Sequence, residues 1–207
     1  MAKDETSKTR LAMRRQPAQA RGRERLEAIV EVAEALMLEK GLTGLKVREI
    51  ARRSGANIAT IYQFFPGRGS ITRYIVEKYY RKLGEELEPA FRAADPTDVH
   101  ASLARLQDAA FHFYADHPVT RELWPGIQGD QSLRARDHED TQDYVNRVFE
   151  FLSRLRPEAT DADLDTTAKY IVATSAPLIR AGLDRPEDAP TLLSTHLHAI
   201  TALVESL

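Results

Sequence analysis

The residues best able to do chemistry lie in and just beyond one stretch, Lys46 to Phe65, and they suit contact with nucleic acid. Ile58 and Ala59 can lay an apolar surface on a thymine methyl, and Gln63 can read adenine through its N6 and N7 edge. Lys46, Arg48, Thr60, Tyr62 and Arg68 carry the cationic and hydroxyl groups that hold phosphates. Phosphate contacts position a protein on a duplex without reading its sequence. Asn57 stands just before the run Ile58–Gln63, where its side chain can cap a helix at the edge of this set.

Patterns for catalysis or metal binding fail by comparison. Asp161-x-Asp163-x-Asp165 has the spacing that opens a calcium loop, but Thr166 replaces the required Gly and Val172 the Glu ligand. The three carboxylates read better as a solvated helix start, where negative charge is favourable. His196 and His198 point about 200° apart around a helix and do not share an ion. His112 and Asp116, at i and i+4, could share one, but no further ligand accompanies them. Gly67-Arg68-Gly69-Ser70 is too short to cradle a phosphate, and no Gly-x-Ser-x-Gly elbow occurs. With no cysteine in the chain, thiolate chemistry, disulfides and thiolate metal sites are absent, which fits a reducing cytosol. Neither an enzyme nor a resident cofactor or metal is expected.

Charge supports the nucleic-acid reading once the chain is divided. Residues 1–85 hold 18 Lys and Arg against 10 Asp and Glu, whereas residues 86–207 hold 11 against 21. The net charge of −2 therefore joins a basic front to an acidic remainder. Only the front should face a polyanion.

The elements that must position these groups read as helices throughout. Residues 1–21 lack apolar periodicity and carry Arg10, Arg14, Arg15 and Arg21, as a flexible basic arm would. Leu26, Ile29, Val30, Ala33, Leu36 and Met37 form an apolar stripe that predicts a helix over Arg23–Lys40, with Gly41 as its left-handed terminator. Two short helices follow at Lys46–Ser54 and Asn57–Phe64, the second ended by Pro66-Gly67, and then a long one at Ser70–Ala93. Five more are expected at Val99–Asp116, Val119–Trp124, Leu133–Leu155, Asp163–Leu183 (kinked by Pro177) and Ala189–Ser206. Strand alternation and hairpin turns are nearly absent, so the fold is all-α with about nine helices. No stretch approaches the ~20 apolar residues of a membrane span.

Lys46–Phe65 also meets the needs of a helix-turn-helix. Two helices crossing steeply through a short turn need a small residue at their closest approach, and Ala51 supplies it. Gly55, four residues on, tolerates the positive φ of the turn. Val47, Ile50, Ile61 and Phe64 face inward to meet the first helix.

Residues 23–82 resemble the DNA-binding domain of TetR/AcrR-type regulators. The matching run is Ile50-Ala51, Ser54-Gly55-Ala56-Asn57, then Thr60-Ile61-Tyr62-Gln63-Phe64-Phe65-Pro66-Gly67-Arg68. Lys46 stands where the family usually has a capping Thr, Ala59 where Gly is commoner, and Gly69 where a Glu often follows the basic residue. The resemblance implies phosphate contacts from Thr60, Tyr62 and Arg68, and three regions: an arm (1–21), a helix-turn-helix domain (22–82) and an effector-binding and dimerisation domain (83–207).

A single such module buries only about 600–1,000 Å² on DNA, so a homodimer on a palindromic operator in double-stranded DNA is expected. The resemblance places the dimer interface on the last two long helices, where Tyr170, Leu178, Leu193, Leu197, Ile200 and Val204 are its candidates. The alternative is that these stripes only pack the chain's own core, and the dimer is the preferred reading. The resemblance also implies an effector pocket in the second domain, with Phe111, His112, His117, Trp124, Tyr144 and Phe149 as candidate lining and an apolar or aromatic small molecule as ligand. Aromatic residues at helical spacing are more often core than ligand contacts. The expected function is a ligand-responsive transcriptional regulator, most often a repressor in this family, with Ser70–Ala93 as the lever between domains. The alternative is a helical adaptor whose helix-turn-helix does not bind DNA.

Overall fold

The computed structural model describes the backbone of residues 20–123 and 131–207, and the side chains of 21–123 and 141–207. Every regular element among them is helical. The order is α1 (Ala20–Lys40), a 3-10 turn (Leu42–Gly44), α2 (Val47–Ser54), α3 (Ile58–Phe64), α4 (Arg68–Arg92), α5 (Val99–Asp116), a short α6 at 119–123, α7 (Gln131–Leu155), α8 (Asp161–Asp184) and α9 (Ala189–Glu205). Two compact units result. The first holds the described parts of residues 1–80 and 118–137, and the second holds Arg81–His117 and the described part of 138–207. Of the expected basic arm, Ala20 is already helical and Arg21 follows within α1; residues 1–19 lie outside the described residues, as does Trp124.

The α1 stripe organises the first unit. Leu26, Ile29, Val30, Ala33, Leu36 and Met37 are all buried, against Leu45, Ile50, Ile61, Phe64, Phe65, Ile71 and Ile75, with Val119 and Leu123 of α6 joining them. Each such side chain removed from water contributes roughly 1.5–3 kcal/mol, and the stripe holds α1, α2, α3 and the start of α4 together. Gly41 ends α1 with positive φ (65°) as expected, but its ψ of 178° is extended rather than left-handed helical. That backbone region is essentially open to glycine alone.

Helix α4 starts at Arg68, two residues before the sequence pattern suggested. Ser70 explains the difference. Its hydroxyl accepts from the Gly67 N–H at 3.2 Å and donates to the Gly67 carbonyl at 2.7 Å. A side chain in the first turn reaching back to the preceding N–H is half of a capping box, with Ser in the place of the usual Glu or Gln.

In the second unit α5, α8 and α9 pack on one another. Asp98 caps α5 by accepting from the Ala101 N–H, and Thr160 caps α8 by accepting from the Asp163 N–H. The acidic triplet sits at that start: Thr160 donates to Asp163, and Asp165 pairs with Lys169 at 2.6 Å. Helix α8 continues past Pro177. One turn earlier the Thr174 and Ser175 hydroxyls donate to the carbonyls of Tyr170 and Ile171. A buried polar chain joins the three helices: His196 Nδ1 donates to Gln107 Oε1 (2.8 Å), His196 Nε2 lies 3.1 Å from Thr174 Oγ1, and Gln107 Nε2 donates to the Leu193 carbonyl (3.0 Å). Helix α7 grips the second-unit half of α4 through Arg147, which donates to the Gly84 carbonyl and to Glu88, and Arg154, which donates to the Phe91 carbonyl.

Candidate nucleic-acid interface

Helices α2 and α3 are separated by three residues, Gly55-Ala56-Asn57. Gly55 ends α2 in the left-handed conformation, φ 68° and ψ 4°. A Cβ built there would meet nothing within 4 Å. Glycine is needed for its backbone angle, not for space. Asn57 then starts α3, its Oδ1 accepting from the Ala59 N–H at 2.9 Å. Lys46 precedes α2 without any side-chain cap, so the usual capping Thr has no functional replacement. Ile50, Ile61 and Phe64 are buried, and Val47 and Ala51 pack half-buried on the same core.

With that face turned inward, the opposite face is open. Ile58, Ala59, Tyr62 and Gln63 of α3 are exposed, as are Lys46, Arg48, Asn57 and Arg68, while Thr60 is half-buried. Ile58 and Tyr62 are among only four large apolar or aromatic residues exposed in the described structure, at 37% and 43%. Two of the four on one seven-residue helix is a concentration that folding alone does not require.

The cations sort into two groups that the sequence does not separate. Glu49 accepts from Arg52 Nη2 (2.7 Å) and Arg53 Nε (2.8 Å), and Arg53 Nη1 reaches Glu39 of α1 at 2.6 Å. The Arg52 hydrogen bond, then that of Arg53, pulls the Glu49 carboxyl down to about 2. Arg53 thus fastens α2 to α1. By contrast, no described acid pairs with the side chains of Lys46, Arg48 or Arg68. These three, all in the expected set, are exposed and carry no such ion pair.

The other expected sets are divided. In α8 and α9 Tyr170 is exposed at 45%, and Leu178, Leu193 and Leu197 are half-buried. Ile200 and Val204 are 3% and 0% exposed within the chain's own core and cannot also be interface residues. The reason is helical geometry: they share a face with His196, which α5 and α8 cover. Among the candidate pocket residues, His112 is exposed, its Nδ1 donating to the Asp108 carbonyl, and its ring meets Phe111 edge-on. His117 stacks on Phe113, with Nδ1 on the Phe113 carbonyl and Nε2 2.7 Å from Lys82 Nζ. Both of its ring nitrogens are thereby engaged within the chain. Tyr144 packs edge-to-face on Phe91 at 5.9 Å, and burial pushes its hydroxyl far above the ordinary tyrosine range. Phe149 is half-buried. Missed from the sequence were Phe91, whose ring lies 5.7 Å from that of Phe151, and the buried pair Gln107–His196.

Comparison with known proteins agrees with this geometry. Residues 29–74 match the model of the tetR family of bacterial regulatory proteins, and residues 97–194 that of the tetracyclin repressor-like C-terminal domain. Curated relatives include a probable HTH-type transcriptional regulator of Bacillus subtilis, YttP, 28% identical over 108 residues and 52% of each chain. The HTH-type transcriptional regulator EthR of Mycolicibacterium smegmatis is 24% identical over 58% of this chain and 62% of its own. The chain thus spans between half and two thirds of these relatives' length. In fold it is similar to SmeT, the repressor of the Stenotrophomonas maltophilia multidrug efflux pump SmeDEF (TM-score 0.62, 20% identity, 84% of this chain and 88% of that one). It is also similar to NalD, the secondary repressor of the MexAB-OprM efflux pump of Pseudomonas aeruginosa (TM-score 0.62, 19% identity, 87% and 97%). With both family models matched in order and an all-helical fold shared with solved members, the chain belongs to the TetR family of bacterial regulatory proteins.

Proposed function

We propose that this chain is a ligand-responsive repressor of transcription that binds a palindromic operator as a homodimer in the cytoplasm. The observation that carries the proposal is the open face of α3, where Ile58, Ala59, Tyr62 and Gln63 stand exposed beside the unpaired cations Lys46, Arg48 and Arg68. In this reading the N-terminal part of α3 enters the major groove. Ile58, Ala59 and Gln63 read bases, and Thr60, Tyr62 and the three cations hold phosphates. Asn57 fixes where α3 begins, since its oxygen is engaged by the helix.

Residues 22–82, with Ala20 and Arg21 already in their first helix, are the DNA-binding domain in this account, and 83–207 the effector and dimerisation domain. Tyr170, Leu178, Leu193 and Leu197 remain as interface candidates. A repressor role takes support from relatives named as such, including the HTH-type transcriptional repressor SCO4008 of Streptomyces coelicolor. Ligand response takes support from the solved complex of SmeT with triclosan. Tyr144, with Phe91 and Phe149, is the part of the second unit we assign to an aromatic effector. Helix α4 supplies residues to both units and is the path for coupling. A 100-fold release of DNA requires a coupling of about 2.7 kcal/mol.

Selection of bound fragments from the source genome tests the proposal. We expect an inverted repeat with half-sites roughly one helical turn or a multiple apart. Gln63→Ala should relax preference at one position in each half-site, whereas Arg68→Ala should weaken all sequences alike. Enrichment of no sequence would contradict the operator reading.

A further inference from the structure

Two histidines take no part in the proposed DNA or effector chemistry, and the fold brings them together. His100 is the second residue of α5 and His198 lies in α9. Both are exposed, and their ring centroids are 5.9 Å apart with 42° between the planes. His198 Nδ1 lies 2.7 Å from the Ser194 carbonyl oxygen. A carbonyl only accepts, so this nitrogen carries the proton and the lone pair falls on Nε2. His100 Nδ1 lies 3.3 Å from the hydroxyl of buried Thr201, which can accept from it in the same way. An imidazole held through its N–H by a protein oxygen, with its other nitrogen turned out, is how metal-ligating histidines are oriented.

We infer that His100 and His198 form a surface site for one divalent transition-metal ion that joins the start of α5 to α9. An ion about 2.0–2.1 Å from each Nε2 sits roughly 3.2 Å from each ring centroid, so two rings sharing it are roughly 5–6 Å apart. The observed centroid spacing of 5.9 Å falls within this range. Imidazole nitrogen suits zinc, nickel and copper, not magnesium or calcium. No third His, Cys, Asp or Glu gathers at such a site among the described residues, so water completes the coordination. The acidic balance of residues 86–207 favours cation approach. The sequence obscures the pair, since the histidine near His198 in the chain, His196, turns into the core instead. The inference does not depend on the DNA-binding reading.

Calorimetric titration of the full untagged chain with zinc, nickel or copper salts tests it. We expect one ion per chain, tighter for copper than for nickel or zinc, and no binding of magnesium. Either His100→Ala or His198→Ala should weaken binding at least tenfold, and His112→Ala should leave it unchanged. A metal-induced rise in the unfolding midpoint, present in the parent and lost in both variants, is the second readout. Comparing the metal-free midpoints shows that the variants fold. Binding that survives both substitutions, disappears with His112→Ala, or is absent at millimolar metal overturns the inference.

Discussion

The two units solve the same packing problem with different materials. In the first, helices meet through apolar side chains, and its buried polar residues, Ser70 and Thr72, bond the backbone at the start of α4. Its ion pairs are exposed or half-buried, and two of them, Arg53–Glu39 and Lys78–Glu34, tie α1 to α2 and to α4. The second unit buries Ser102, Gln107, Thr167, His196 and Thr201, and links α5, α8 and α9 through hydrogen bonds between distant residues. A core of oil presents a rigid platform, which suits a surface whose side chains must meet a duplex in register. A core with satisfied polar links fixes one arrangement of its helices, because a broken link leaves a buried polar group unpaired.

This contrast can be broken by substitution. The largest effect should come from Phe65→Ala in the first unit, where a fully buried ring packs on Tyr74. A loss of about 3–5 kcal/mol is expected, measured by urea unfolding. Gln107→Leu in the second unit should cost less, about 1–3 kcal/mol, because it strands the His196 N–H in the core. If Gln107→Leu proves neutral, the polar links do not hold the second unit together. Gly55→Ala should cost about 1 kcal/mol through its positive φ alone, since nothing crowds the site.

The smallest effect is a slope with pH. Burial lowers the His196 pKa below its ordinary 6.5. The folded chain then holds fewer protons than the unfolded one, so stability is full above about pH 6.5 and declines as pH falls towards the folded pKa. Denaturant unfolding between pH 7.5 and 5.5 should show a decline that is shallower in His196→Gln. Equal slopes in the two chains would mean that His196 does not titrate on unfolding.

How much of this is legible in the sequence follows from the same contrast. Ala51, Gly55 and Asn57 lie within seven residues, and each acts on backbone close to itself, so the helix-turn-helix reads directly. Periodicity also places the α1 stripe. It does not show what covers a stripe, which is why α9 yields Leu193 and Leu197 half-buried but Ile200 and Val204 in the core. Nor does it distinguish a free arginine from a paired one, so Arg48 and Arg53 look alike until Glu39 and Glu49 are placed. The Gln107–His196 and His100–His198 pairs join residues far apart in the chain and leave no local mark.

The account rests most heavily on the exposed, unpaired cations of the first unit. Binding to random-sequence duplex DNA across a salt series tests this directly. With three phosphate-holding cations per protomer, a dimer should give a log–log slope of about −5, its magnitude reduced by about 2 per dimer in Arg68→Ala and unchanged in Arg52→Ala. An absence of binding at low salt, or a slope that Arg68→Ala leaves untouched, would contradict it.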